Sequence, residues 1–251
     1  MQTFKLTLEY DGSKFSGWQE QINARTVQGE LKQAVRELFH TDVEVQGAGR
    51  TDAGVHALAQ VAHLKLRGRG ASIPVEKILR DLNERLPSSI AVLDVAEAAP
   101  RFHARHDALA RTYFYQISTR KTALAKRYVW WVKEPLDLGQ MQAAAAMIAG
   151  RHDFAAFRAA DPSKPDDSTI VVVEAAEVQQ DEHLLIFRIE ASHYLWKMVR
   201  RLVGVLVKIG KGEVVLEDFR KLLEGKPQAH LNVAAWTAPA SGLFLEGIRY
   251  Q

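Results

Sequence analysis

The sequence predicts an α+β fold: two α/β halves joined through a mainly antiparallel central sheet. Three observations carry this. Segments whose apolar residues alternate with a period of two are interleaved with segments carrying an apolar stripe at helical spacing. Several successive strands are joined by connections too short for a helical crossover, which forces antiparallel pairing. A chain of 251 residues that is 47% hydrophobic and 25% charged is also long and apolar enough to bury a sizeable core.

In "TFKLTLEYDG", Phe4, Leu6, Leu8 and Tyr10 share one face and Lys5, Thr7 and Glu9 the other, a half-buried strand ending at Asp11-Gly12. "TVQGELKQAVRELFH" places Val27, Leu31, Ala34, Val35, Leu38 and Phe39 on one helical stripe behind Thr26 as N-cap. "DVEV" (42–45) and "QVAHLKL" (60–66) read as strands. Ile73–Leu86 reads as a helix with Pro74 in its first turn, burying Val75, Ile78, Leu79, Leu82 and Leu86; "IAVLDVAEA" (90–98) follows as a strand.

The second half repeats the style. "RTYFYQIST" is a strand, and "LDLGQMQAAAAMIAG" a helix capped by Asp137 and ended by Gly150. "TIVVVEAAEV" and "LLIFRIEA" form a hairpin across polar "QQDEH". "YLWKMVRRLVGVLVKIG" is a helix buried along Leu195, Met198, Leu202, Val205 and Ile209. A short helix "LEDFRKLLEG" and a closing strand "LFLEGIRY" complete the chain, and polar "AADPSKPDDS" (159–168) is expected to be a mobile loop. The expected division is 1–104 and 105–251.

No run approaches the roughly 18 apolar residues of a membrane span, and no secretion leader is visible, so a cytoplasmic protein is expected. With zero cysteines, disulfides, thiolate catalysis and cysteine-based metal sites are excluded. The net charge of +3 permits a polyanionic partner without requiring one. Its distribution says more. Basic clusters at 65–69, 101–111, 120–127 and 196–201 lie near Phe102, Tyr113, Phe114, Tyr115, Trp130, Trp131 and Trp196. Cations interleaved with aromatics suit a ligand with phosphates and stackable bases, especially an RNA.

The most informative stretch is "VQGAGRTDAGVHAL" (45–58), in which glycines and alanines surround Arg50, Asp52 and His56. It is not a dinucleotide fingerprint, because an aspartate would repel the pyrophosphate, and the Gly-Lys-Ser/Thr of a phosphate loop is absent. His56, His63, His103 and His106 lack carboxylates at metal-ligand spacing. Two readings remain from the residues alone. One is a structural turn, with Asp52 capping backbone N–H groups and Arg50 paired to a neighbour. The other is an ionised Asp52 held as a nucleophile by a guanidinium and aimed at an anomeric or base carbon.

"GRTDAGVHA" (49–57) resembles the catalytic motif of the tRNA pseudouridine synthase A family. The likeness extends through "YDGSKFSGWQ" (10–19), "TVQGEL" (26–31), "NERLP" (83–87), "FHARHDALARTYFY" (102–115), "HDFAAF" (152–157), "HYLWKMVRRLVG" (193–204) and "SGLFLEGIRY" (241–250). The resemblance implies two ferredoxin-like (RRM-like) halves in the pseudouridine synthase fold. It implies isomerisation of uridine to pseudouridine at positions 38, 39 and 40 of the tRNA anticodon stem-loop, by a homodimer without metal or organic cofactor. Asp52 matches the essential carboxylate, Tyr113 the active-site tyrosine, and Arg200 the arginine that pairs with the aspartate. Arg50 is expected to bind the nucleotide or steady the loop, and Leu243 or Leu245 to support the base. On a helical wheel Arg200 lies opposite the Leu195–Ile209 stripe, where a solvated charge is otherwise expected. One departure is Val171, where family members usually carry arginine. A non-catalytic RNA-binding module and a nucleoside or glycoside hydrolase using Asp52 are the competing readings.

Overall fold

The computed structural model describes residues 2–40, 43–66, 73–160 and 167–251. Contacts divide the chain into two compact units, Met1–Leu109 with Phe244–Gln251, and Ala110–Leu243. Both are mixed α+β with mainly antiparallel strands.

In the first unit β1 (Gln2–Tyr10) is flanked by antiparallel β3 (His56–Leu66) and β4 (Ile90–Glu97). The alternation read from β1 holds: Phe4, Leu6, Leu8 and Tyr10 are buried while Glu9 is exposed. The far edge of β3 has two partners. β2 (Val43–Gly47) pairs antiparallel from Val43↔Leu66 to Gly47↔Ala62. β10 (Leu243–Arg249) pairs parallel at Phe244↔His56 and Leu245↔Ala57. The connection between β2 and β3, residues 48–55, therefore emerges where β2 stops and β10 begins.

Helix α1 (Val27–Phe39) starts behind Thr26, whose Oγ1 accepts from Gly29 N at 3.2 Å, and stops at His40 in the left-handed region (φ 49°). Helix α2 (Val75–Arg85) takes Pro74 as its N-cap rather than inside the first turn, and Val75 and Leu79 stay partly exposed. Asn83 at its end braces β4 by donating to Val92 O (2.9 Å) and accepting from Val92 N (2.8 Å). Val92 adjoins the irregularity where β4 changes register against β1.

In the second unit the strands lie in the order β5 (Ala110–Ser118), β9 (Leu184–Ala191), β8 (Ile170–Asp181), β7 (Gly150–Asp153), all antiparallel. The two-residue β6 (Trp130–Trp131) runs parallel to the end of β5. Helix α3 (Leu138–Ala146) packs on β8 and on α4 (Met198–Gly210), and α5 (Leu216–Leu223) packs on α3 and β7.

Four local expectations change. The hairpin turn is only Glu182-His183, with Glu182 at φ 48°; Gln179–Asp181 belong to β8 because their pairing with β9 continues to Asp181↔Leu184. Helix α3 keeps its Asp137 cap but ends at Ala146, and Gly150, at φ 110°, opens β7 instead of closing the helix. Helix α4 begins at Met198 because Lys197 adopts φ 60°, which leaves Leu195 outside it. It is also buried on more than one stripe, with Val199, Val203 and Leu206 in the core beside the predicted positions. The segment before β10 covers that extra face, so Arg200 is half-buried. Val171 is fully buried on β8. Asp42, residues 67–69 of the first basic cluster and 161–166 of the polar loop lie outside the described residues.

Gly204 marks the tightest point of that cover, since a Cβ there would sit 1.7 Å from the Trp236 carbonyl oxygen. Gly204→Ala is expected to lower the stability of the second unit by about 2–3 kcal/mol, read as a shift in its denaturant midpoint.

Candidate active site

Loop 48–55 folds as it does because a second loop lies beneath it. Trp18 N donates to Thr51 O (3.0 Å), Gly54 N to Phe15 O (3.3 Å), and Val55 N to Asp52 O (3.1 Å). Two glycines permit this backbone-on-backbone contact. A Cβ on Gly17, already at φ 95°, would lie 2.6 Å from Thr51 O, and one on Gly12 would lie 2.0 Å from Val55 O. The Trp18 indole fills the space over Gly47. "YDGSKFSGW" is thus the bed on which the Arg-Thr-Asp stretch rests.

Side chains along that stretch alternate. Thr51 is buried, Arg50 exposed and Asp52 half-buried. Thr51 is held inward by a hydrogen bond of 2.8 Å between its Oγ1 and the Tyr10 hydroxyl. Gln60 Nε2 donates to Gly49 O (3.0 Å) and reaches the same hydroxyl at 3.4 Å. Burial pushes the Tyr10 phenol up to about 12, so it keeps its proton throughout the neutral range. Arg50 makes no hydrogen bond or ion pair among the described residues. It stands at a cleft of about 500 Å³ whose lining includes Gly49, Gln46, Lys32, Glu44 and Arg105.

His56 is a buried side chain at the start of β3. It accepts from Gly12 N through Nδ1 at 3.1 Å and stacks on Phe244 at 4.6 Å. His63 is likewise structural: Nδ1 accepts from Ala104 N (3.0 Å), Nε2 lies 3.1 Å from Glu44 Oε1, and its ring meets the His103 ring at 4.6 Å. No group of three or more metal-ligating side chains occurs among the described residues.

The remaining expected residues divide between the units. Leu245 is fully buried in the first, opposite Ala57. In the second, Tyr113 lies on β5 with 7% exposure, edge-on to Tyr194 at 5.0 Å. Tyr115, on the same face, is fully buried and its hydroxyl donates to Pro239 O at 2.8 Å. Arg200 Nε donates to Ala238 O (2.7 Å), and Ala238 N donates back to Arg200 O (3.0 Å), which fixes the side chain to the segment before β10. Leu243, 6% exposed, ends the second unit.

Sequence reasoning missed Tyr10, Thr51 and Gln60 as a set. The available signal was Gln60, a polar residue in an otherwise apolar strand. Arg105 was read only as one charge in a basic cluster.

The family model described as "tRNA pseudouridine synthase" matches residues 7–107 and 144–251. The chain is 38% identical over 252 residues to tRNA pseudouridine synthase A of Bacteroides fragilis, covering 100% of this chain and 97% of that protein. It is 41% identical over 254 residues to the protein of the same name from Moorella thermoacetica, with 100% of both covered. It is 37% identical over 252 residues to that of Thermoanaerobacter sp., again with 100% of both covered. The chain belongs to the tRNA pseudouridine synthase family.

Two outcomes follow for stability. Thr51→Val leaves the buried Tyr10 hydroxyl without its best partner and is expected to cost about 1–2 kcal/mol in urea unfolding. Burial holds the His63 imidazole below its ordinary range, so the unfolded chain takes the proton first. Stability is therefore full above about pH 6.5 and falls as the pH drops toward the folded-state value. Melting temperatures recorded across that range should decline, with a shallower slope in His63→Asn.

Proposed function

We propose that this protein isomerises uridine to pseudouridine in tRNA, at positions 38, 39 and 40 of the anticodon stem-loop, with Asp52 as the attacking carboxylate. The observation that carries this reading is the locked Arg-Thr-Asp stretch. With Thr51 tied to Tyr10 in the core, Arg50 and Asp52 are directed outward on a backbone that has little freedom to move. Preorganised charge of this kind lowers a barrier without reorganisation during the reaction.

The reaction breaks the N1–C1′ bond of uridine, turns the base, joins C5 to C1′, and moves a proton from C5 to N1. Every atom is conserved, so the balance requires no co-substrate. In this scheme Asp52 attacks C1′ or the base, and Arg200 pairs with it. Tyr113 stacks on the flipped uracil and relays the C5 proton. Leu243 and Leu245 give the base apolar support, and Arg50 holds the neighbouring backbone at the mouth of its cleft. The target base must first leave its stem, at a cost of a few kcal/mol. Phosphate contacts offset that cost, which makes binding dependent on salt. A homodimer acting in the cytoplasm completes the proposal.

The test is nucleoside analysis of tRNA treated with the protein. Pseudouridine should form with no change in mass, and Asp52→Asn should reduce the rate by at least about a thousandfold. Released uracil would identify a hydrolase instead. Bound but unmodified tRNA, with wild-type protein correctly folded, would identify an RNA-binding module.

A further inference from the structure

Residues 119–133, "TRKTALAKRYVWWVK", carry five cations and no acid in a chain whose acids and bases nearly balance, at 30 and 33. Arg120, Lys121 and Lys126 are exposed, and none makes an ion pair among the described residues. Four other surface cations of the second unit are paired. Lys208 pairs with Glu213, Lys211 with Glu134, Arg220 with Glu217, and Lys226 with Glu224. Like charges left together without partners repel, so such a cluster is stabilised by an anion from outside.

The cluster sits on a fixed base. Val129 and Val132 are buried, Val132 N donates to Ser118 O (3.0 Å), and Ser241 Oγ donates to Val129 O (3.4 Å). Within the loop Tyr128 N donates to Ala125 O (2.8 Å) and Ala125 N to Thr122 Oγ1 (3.2 Å). Trp131 keeps 42% of its surface exposed, with Lys121 Nζ 5.5 Å from its ring centroid. Tyr128 is also exposed. Free cations around an open indole fit a ligand that has both phosphates and flat bases.

We propose that this segment is a second RNA-contacting surface, in which Arg120, Lys121 and Lys126 take the phosphodiester backbone and Trp131 stacks on an unpaired base. The inference rests on the tRNA reading above. Geometry places it away from the reacting nucleotide. Trp131 is in register with Ser118, five residues along β5 from Tyr113. That is about 17 Å at strand rise, so the segment meets a part of the RNA other than the target base. An anionic lipid surface would also attract the cations, and Leu124, 93% exposed, would suit it. The indole, on the strand paired with the one that carries Tyr113, favours RNA.

The experiment compares the full-length protein with the combined variant Arg120→Gln, Lys121→Gln, Lys126→Gln and with Trp131→Ala. Affinity for whole tRNA is measured over a salt series, alongside single-turnover pseudouridine formation. The triple variant should bind at least about tenfold more weakly, with a log affinity versus log salt slope smaller by about 2–3. Trp131→Ala should bind about tenfold more weakly with the slope unchanged. In both, the rate at saturating tRNA should stay close to wild type, so that the loss falls on affinity alone. Wild-type affinity and slope in the triple variant would overturn the proposal. So would unchanged RNA binding with a loss of self-association by light scattering, or with a loss of binding to vesicles containing anionic lipid. Failure of the wild-type protein to modify tRNA would be a failure of the functional reading itself and is seen separately.

Discussion

The buried hydrogen bond between Tyr10 and Thr51 governs the orientation of the Arg50–Asp52 stretch. In an extended stretch, neighbouring side chains point to opposite sides. Turning one of them inward turns the residues before and after it outward. Thr51 is the inward residue, and Gln60 adds a hold on the carbonyl of Gly49 two residues earlier. The Tyr10 and Thr51 hydroxyls, taken out of water, would be costly if unpaired, so the arrangement in which they pair with each other is strongly preferred. The Tyr10 hydroxyl serves as acceptor as well as donor only while protonated, and its burial guarantees that.

Around this contact the fold supplies rigidity by backbone proximity. Gly12 and Gly17 allow one loop to lie on another at distances no side chain would tolerate. The loop's two ends are fixed by strands: β2 terminates at Gly47, and β3 starts at His56, whose ring is clasped between Gly12 and Phe244. Histidines that invite a catalytic or metal-binding reading are thereby explained as struts. His56 ties β1's outgoing turn to β10, and His63 ties β3 to the turn at Ala104.

Much of this was legible in the sequence. Period-two alternation located β1 because one of its faces is buried throughout, and Thr26 and Asp137 located helix starts because a side-chain oxygen must satisfy the first free N–H groups. The motif also singled out the loop between β2 and β3 that carries Arg50 and Asp52. Two kinds of feature were not legible. Helix α4 reads as one-sided by periodicity, but a later irregular segment covers a second face, and no local pattern announces such cover. Tyr10, Thr51 and Gln60 come from three separate stretches, and only the pairing of β1 with β3 makes them neighbours. Likewise, nothing in "LFLEGIRY" says that it joins β3 and returns to the first unit.

That return has a consequence for synthesis on the ribosome. The first 109 residues emerge early, yet the strand that flanks the start of β3 is encoded after residue 242. Until β10 has been made, the Phe244 side of His56 is bare and the edge of β3 at Ala57 lacks its parallel neighbour, an opening for mispairing with other nascent chains. Maturation of the loop bearing Asp52 is thus tied to a strand encoded far downstream of it, and a chain without β10 lacks the wall that steadies that loop.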